Sequence, residues 1–144
     1  LLDLPPPVIL AYPVESVVAE KFQALVDLGS TNSRMKDFYD LWMLAQTQAF
    51  DGEALSRAML ETFSRRGTDL PDDTPIGLSD AWASEEQVMG YWRGFLERNG
   101  LTGDTPQFVA ALPTPRAFLM PPTAALRAGR PFAIAWPAGG PWRE

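Results

Sequence analysis

The stretch "VVAEKFQALVDLGSTNSRMKDFYDLWML", Val17 to Leu44, decides how this chain is read. It contains two runs with apolar residues at helical spacing, separated by a glycine and a polar turn. On a wheel of about 100° per residue, Val14, Val17, Val18, Leu25 and Leu28 form one stripe, with Glu15, Glu20 and Gln23 outside it. Lys21 falls inside the stripe. The second run repeats the pattern: Phe38, Leu41, Leu44 and Ala45 make the apolar face, and Asp37 lies within it. Arg34 stands one turn before Phe38, and Asp40 stands at the edge of that face.

An isolated ammonium or carboxylate on an inner face costs several kcal/mol, so each needs a partner or a polar cleft. Two structural readings follow. Lys21 and Asp37 form an ion pair between the two helices, or Lys21 extends past its neighbours to solvent. The functional reading makes the helices one wall of an anion site, with Lys21 facing phosphate. The cluster Arg34, Lys36, Asp37 and Asp40 at a helix start, beside positive backbone amides, adds to the functional side. The wheel does not separate these readings.

Outward from this stretch, "VILAY" (Val8 to Tyr12) is a short β-type run after the prolines Pro5 to Pro7, and Pro13 suits a helix start. The first helix is expected to run to about Leu28, with Gly29 just past its end. Asn32 or Ser33 is expected to cap a second helix over Arg34 to Thr47. Asp51 caps a third, which closes at Arg65 and Arg66 with Gly67 behind. Thr68 to Asp80, rich in Pro and Asp, reads as a loop. "SEEQ" (Ser84 to Gln87) reads as a capping box opening a fourth helix that runs to Gly100. Shorter helices are expected over Pro106 to Leu112 and near Pro115 to Leu119. The tail "RPFAIAWPAGGPWRE" reads as one short strand or extended segment closed by a Pro/Gly turn. There is no internal repeat. The expected fold class is mainly α with one or two short strands.

The composition narrows the chemistry. The 144 residues suffice for one domain, and 46% hydrophobic with 21% charged residues is a globular composition. The chain has no cysteine and no histidine, which removes disulfides, thiolate and imidazole metal sites, and Ser-His or Cys-His catalysis. The net charge of −6 confines any polynucleotide contact to a local basic strip. No apolar run approaches the ~20 residues needed to span a bilayer. With no signal-peptide pattern either, the expected location is cytoplasmic. Trp82, Trp92, Trp136 and Trp142 read as packing rather than base-stacking residues. Arg65 and Arg66 complete a helix end, with contact to RNA phosphate as the functional alternative. Asp72 and Asp73 read as a solvated loop.

"YPVESVVAEKFQALVDLGSTNSRMKDFYDLWML" closely resembles the C-terminal-half motif of the AbiEii/AbiGii toxin family of nucleotidyltransferases. The motif elements are Glu15, then Ala19-Glu20-Lys21, then Arg34, then Lys36-Asp37-Phe38-Tyr39-Asp40. The resemblance implies an α+β nucleotidyltransferase of DNA-polymerase-β type, of which this chain is the helical C-terminal region (residues 1–144). It implies active-site roles for Lys21 and Asp37, with Glu15, Glu20, Arg34, Lys36 and Asp40 binding phosphate or supporting. It further implies magnesium (Mg2+) and a nucleoside triphosphate (NTP) as cofactor and substrate, possible acceptance by the end of a tRNA, a cognate antitoxin, and a place in phage defence.

Such enzymes hold triphosphate on a Gly-Gly/Ser motif and the metal on Asp-x-Asp, in the N-terminal half. "GSTN" (Gly29 to Asn32) does not supply them, since Asp37 and Asp40 are three apart on a helix rather than two apart on a strand. No metal ligand set is expected in this chain, which is therefore expected to be the C-terminal part of a longer protein and inactive alone. The alternative is a non-catalytic helical protein-interaction module in which Lys21 and Asp37 are a plain ion pair.

Overall fold

The computed structural model describes residues 12–144. Those residues form seven α-helices and one two-stranded antiparallel sheet, a mainly α fold with a short strand pair. The β-type run expected over Val8 to Tyr12 lies, apart from Tyr12, outside the described residues. No helix among the described residues is long and apolar enough to cross a membrane.

The first helix, α1 (Val14–Leu28), ends where Gly29 takes φ +56° and returns its N–H to the Leu25 carbonyl. A single 3-10 turn (Gly29–Thr31) leads into α2 (Met35–Thr47). That helix begins one residue later than expected. Its entrance is set by Asn32, whose side-chain oxygen accepts the Arg34 N–H at 2.8 Å, an Asx turn rather than a cap on the helix itself. The next helix, α3 (Gly52–Arg66), follows both sequence signals. The Asp51 carboxylate accepts the Ala54 N–H at 3.0 Å, and Gly67 at φ +65° closes the other end.

Beyond α3 the expectations hold less well. The Thr68 to Asp80 segment contains a 3-10 turn (Ile76–Leu78), and a short helix, α4 (Asp80–Ala83), opens on its last residue. Ser84 does not cap the following helix, α5 (Glu86–Arg98). It lies in helical conformation at the end of α4 and donates its hydroxyl to the Asp80 carbonyl at 2.7 Å. A capping serine must be extended, so the "SEEQ" box is not formed.

Pro106 to Leu112 contains only the short α6 (Phe108–Ala111). The sixth expected helix, near Pro115 to Leu119, is part of the much longer α7 (Pro113–Arg127), which carries Pro121 and Pro122 inside it. Pro122 has no N–H to offer the Phe118 carbonyl. That carbonyl accepts the Trp142 indole N–H instead, at 2.9 Å. A residue of the chain's tail thus satisfies the acceptor that the proline orphans.

The tail also supplies β2 (Ala135–Trp136), paired antiparallel with β1 (Phe50–Asp51) in the register Phe50↔Trp136 and Asp51↔Ala135. The Ala45 carbonyl, near the C-terminus of α2, accepts both the Trp136 indole N–H at 2.8 Å and the Gly139 N–H at 2.9 Å. Trp82, Trp92 and Trp136 are buried and Trp142 is half-buried, so the packing reading of these tryptophans holds. One aromatic cluster joins Phe38, Trp82, Trp92 and Phe108; a second joins Phe50, Phe118, Trp136 and Trp142.

Candidate functional site

The most extensive helix pairing in the molecule is α1 against α3, where Phe22 and Phe63 meet at 5.5 Å between ring centres. The start of α2 packs on the other flank of α1. Between the three helices lies an open cleft of about 740 Å³. The positions on α1 that face neither partner squarely send their side chains to its two sides, Lys21 toward α2 and Glu20 toward α3.

On the α2 side, the Lys21 ammonium lies 3.2 Å from Asp37 Oδ1 and 2.9 Å from Asp40 Oδ2. Asp37 uses its second oxygen for the Arg34 guanidinium at 3.1 Å, and Asp40 also takes Lys36 at 2.7 Å. The Lys21–Asp37 ion pair, one of the two structural readings, is therefore present, within a network of three cations and two carboxylates. Burial alone pulls the Lys21 pKa down, but the hydrogen bond and charge of Asp40, and then those of Asp37, outweigh it and hold the ammonium above its usual 10.5. A lysine charged so firmly near neutral pH is no general base. It is a fixed positive charge.

On the α3 side, Glu20 is gripped by both arginines of the helix end, by Arg65 at 2.5 Å and by Arg66 at 2.9 Å. The Arg65 hydrogen bond leads in holding the Glu20 carboxyl below its usual 4.5 against the effect of burial, and the charges of Arg65 and Arg66 add to it.

Of the candidate residues singled out from sequence, Glu20, Lys21, Arg34, Asp37, Arg65 and Arg66 line the cleft. Asp40 reaches it only through Lys21, and Lys36 points outward with 73% of its side chain exposed. Glu15, in the first turn of α1, is half-buried and does not line the cleft. Gln23 was placed outside the apolar stripe, yet it is 5% exposed. Its amide donates to Thr68 Oγ1 at 2.8 Å, a partner 45 residues away that no periodicity reveals. The cleft also gains Glu61 and Thr62, which carried no sequence signal, and Tyr12, which the sequence marked only as the end of a β-type run.

Magnesium does not fit the residues present. It demands near-octahedral oxygen donors. Asp37 and Asp40 are each already bound by two cations, and among the described residues no group of three carboxylates converges.

The model of the nucleotidyl transferase AbiEii toxin of type IV toxin–antitoxin systems matches residues 1–114. The chain belongs to the AbiEii family. The match extends well past the motif in the first third of the chain and takes in all three cleft-forming helices. The family is that of the nucleotidyl transferase toxins of type IV toxin–antitoxin systems, and it implies an antitoxin as partner. No curated protein and no solved structure matches the chain significantly.

Proposed function

We propose that these helices form the phosphate-facing wall of a nucleotidyltransferase active site whose metal-binding carboxylates come from residues outside this chain. In the reaction, an acceptor hydroxyl, with a tRNA end as the acceptor class, bonds to the α-phosphorus of a nucleoside triphosphate. The bond from that phosphorus to the β-phosphate oxygen breaks, pyrophosphate leaves, and the hydroxyl proton passes to solvent or to a base outside this chain. Magnesium, when bound by the complementary part, supplies charge neutralisation along the phosphates.

The chain's own contribution is positional and electrostatic. Lys21 presents a fixed ammonium to the triphosphate, and Arg34 extends the same positive edge. Asp37 is a positioning residue: one oxygen holds Lys21 and the other holds Arg34. Asp40 shares the first task, and Lys36 in turn braces Asp40. The observation that supports this reading is a half-buried lysine fixed by two carboxylates on the wall of an open cleft in a member of this family. A nonpolar replacement of so placed a cation removes charge stabilisation where phosphate charge develops.

The test is incorporation of labelled nucleoside triphosphate into total tRNA by the full-length parent protein with magnesium. Lys21→Ala is expected to lose about 100-fold in rate, the scale of removing one preorganised charge or donor. Asp37→Ala is expected to fall in parallel, with both variants melting as folded proteins. Undiminished incorporation in both returns the pair to a purely structural role, in a non-catalytic helical interaction module. The chain by itself is expected to incorporate nothing.

A further inference from the structure

Twelve lysines and arginines serve the whole of this acidic chain, yet Lys21, Arg34, Arg65 and Arg66 all line one cleft. The first two flank the α2 side and are engaged by Asp37, a carboxylate of their own wall. The arginines of α3 are different. They are neighbours in sequence, each about half exposed, and both reach across to a single carboxylate on another helix.

The geometry of that contact is informative. Glu20 offers one oxygen to each guanidinium, Oε2 to Arg65 at 2.5 Å and Oε1 to Arg66 at 2.9 Å. Each guanidinium gives Glu20 a single contact through Nη2, so two cations converge on one anion while the rest of each planar fork, the group by which arginines bind phosphate, stays open. Each guanidinium has five N–H donors, so most of this donor capacity is not consumed by Glu20. Glu20 is only 35% exposed in its side chain but sits at the cleft surface. As an exposed ion triad it contributes little to stability. Its placement in a cleft shared with Lys21 gives it a second use.

We infer that Arg65 and Arg66 form a second phosphate subsite, opposite Lys21, and that Glu20 is its internal competitor, occupying the two arginines until a phosphate group displaces it. The ligand chemistry is a phosphate of a polyphosphate chain or of a polynucleotide backbone. This subsite extends the proposed function and rests on it for its role in transfer, but its existence is a matter of binding alone.

The test measures binding by the purified chain of two probes, inorganic tripolyphosphate and a fluorescein-labelled 12-nucleotide single-stranded RNA. The double variant Arg65→Ala/Arg66→Ala is expected to weaken at least one probe tenfold or more, and Glu20→Gln to tighten the same probe at least threefold. A loss confined to RNA assigns the subsite to a polynucleotide backbone, with the salt dependence of log Kd falling by about 0.7 for each phosphate contact removed. A loss confined to tripolyphosphate assigns it to the free polyphosphate chain.

Arg65→Gln/Arg66→Gln removes both charges while keeping polar side chains, and gives the same readout should the alanine pair fail to fold. Lys21→Ala in parallel reports on the proposed function. Unchanged tripolyphosphate binding there, with loss in the arginine variants, removes the Lys21 role and leaves the subsite standing. Wild-type affinity for both probes in the arginine variants, no tightening in Glu20→Gln, or no binding of either probe by the unaltered chain overturns the inference.

Discussion

Lys21 and Glu20 are adjacent on α1 and their pKa values move in opposite directions, which gives the chain two distinct pH sensitivities. The Lys21 pKa is raised above 10.5 by Asp40 and Asp37, so its contribution to stability is complete below 10.5 and is lost as pH rises through the folded value. The Glu20 pKa is lowered below 4.5, chiefly by Arg65, so its contribution is complete above 4.5 and is lost as pH falls through the folded value. Urea denaturation against pH therefore separates them. Lys21→Met is expected to reduce the loss of stability on the alkaline side, and Glu20→Gln to reduce the loss on the acid side by a small amount, as befits a surface triad. Parallel curves for a variant and the unaltered chain on its own limb contradict the assignment. The residue pattern exposed Lys21 and Asp37 because two charges interrupt two apolar stripes. Glu20 gave no such sign. Its partners come from α3, and 45 residues of chain separate it from Arg65.

At the scale of elements, the legible helices are those whose ends are written locally. Asp51 and Gly67 bracket α3 because a short acceptor side chain and a glycine at positive φ act within a few residues of themselves. The long α7 was hidden by Pro121 and Pro122, which argue against a helix wherever neighbours cannot satisfy the freed carbonyls. Here Trp142 does so for Phe118, and its ring stacks on Phe118 with an interplanar angle of 10°. Trp142→Phe keeps most of the ring contact and removes the N–H. It is expected to cost about 1 kcal/mol in equilibrium unfolding, the net worth of one hydrogen bond. No change in the denaturation midpoint would show that the Phe118 carbonyl needs no partner.

Over the whole molecule, the tail closes the fold by returning to the middle of the chain. Gly52, the first residue of α3, lies against it so closely that a Cβ there would meet the Ile134 carbonyl oxygen at 2.4 Å and the Phe132 ring at 2.8 Å. The Gly52 N–H donates to that same Ile134 carbonyl at 2.8 Å. Gly52→Ala is therefore expected to destabilise by about 1–3 kcal/mol through overpacking. Loosening of the tail should also shift tryptophan emission to the red, since Trp136, a residue of the tail, is buried. An alanine variant as stable as the original would mean that the tail gives way at no cost. The cleft lies apart from this closure, on the α1–α3 face.

The sequence by itself determined the helical class, the bounds of α1 and α3, the inward charges Lys21 and Asp37, and the family motif that spans them. Helix bounds and inward charges depend on spacing within one or two turns of chain, and the motif on the order of residues along it. Only the tertiary structure decided that Asp40 and Arg34 join Lys21 and Asp37 in one network, that Gln23 is buried against Thr68, that Arg65 and Arg66 close on Glu20, and that α7 runs through two prolines. Each of these depends on a side chain meeting a partner on another element. Such meetings are fixed by how helices pack, and a period of 3.6 residues carries no information about which element lies opposite.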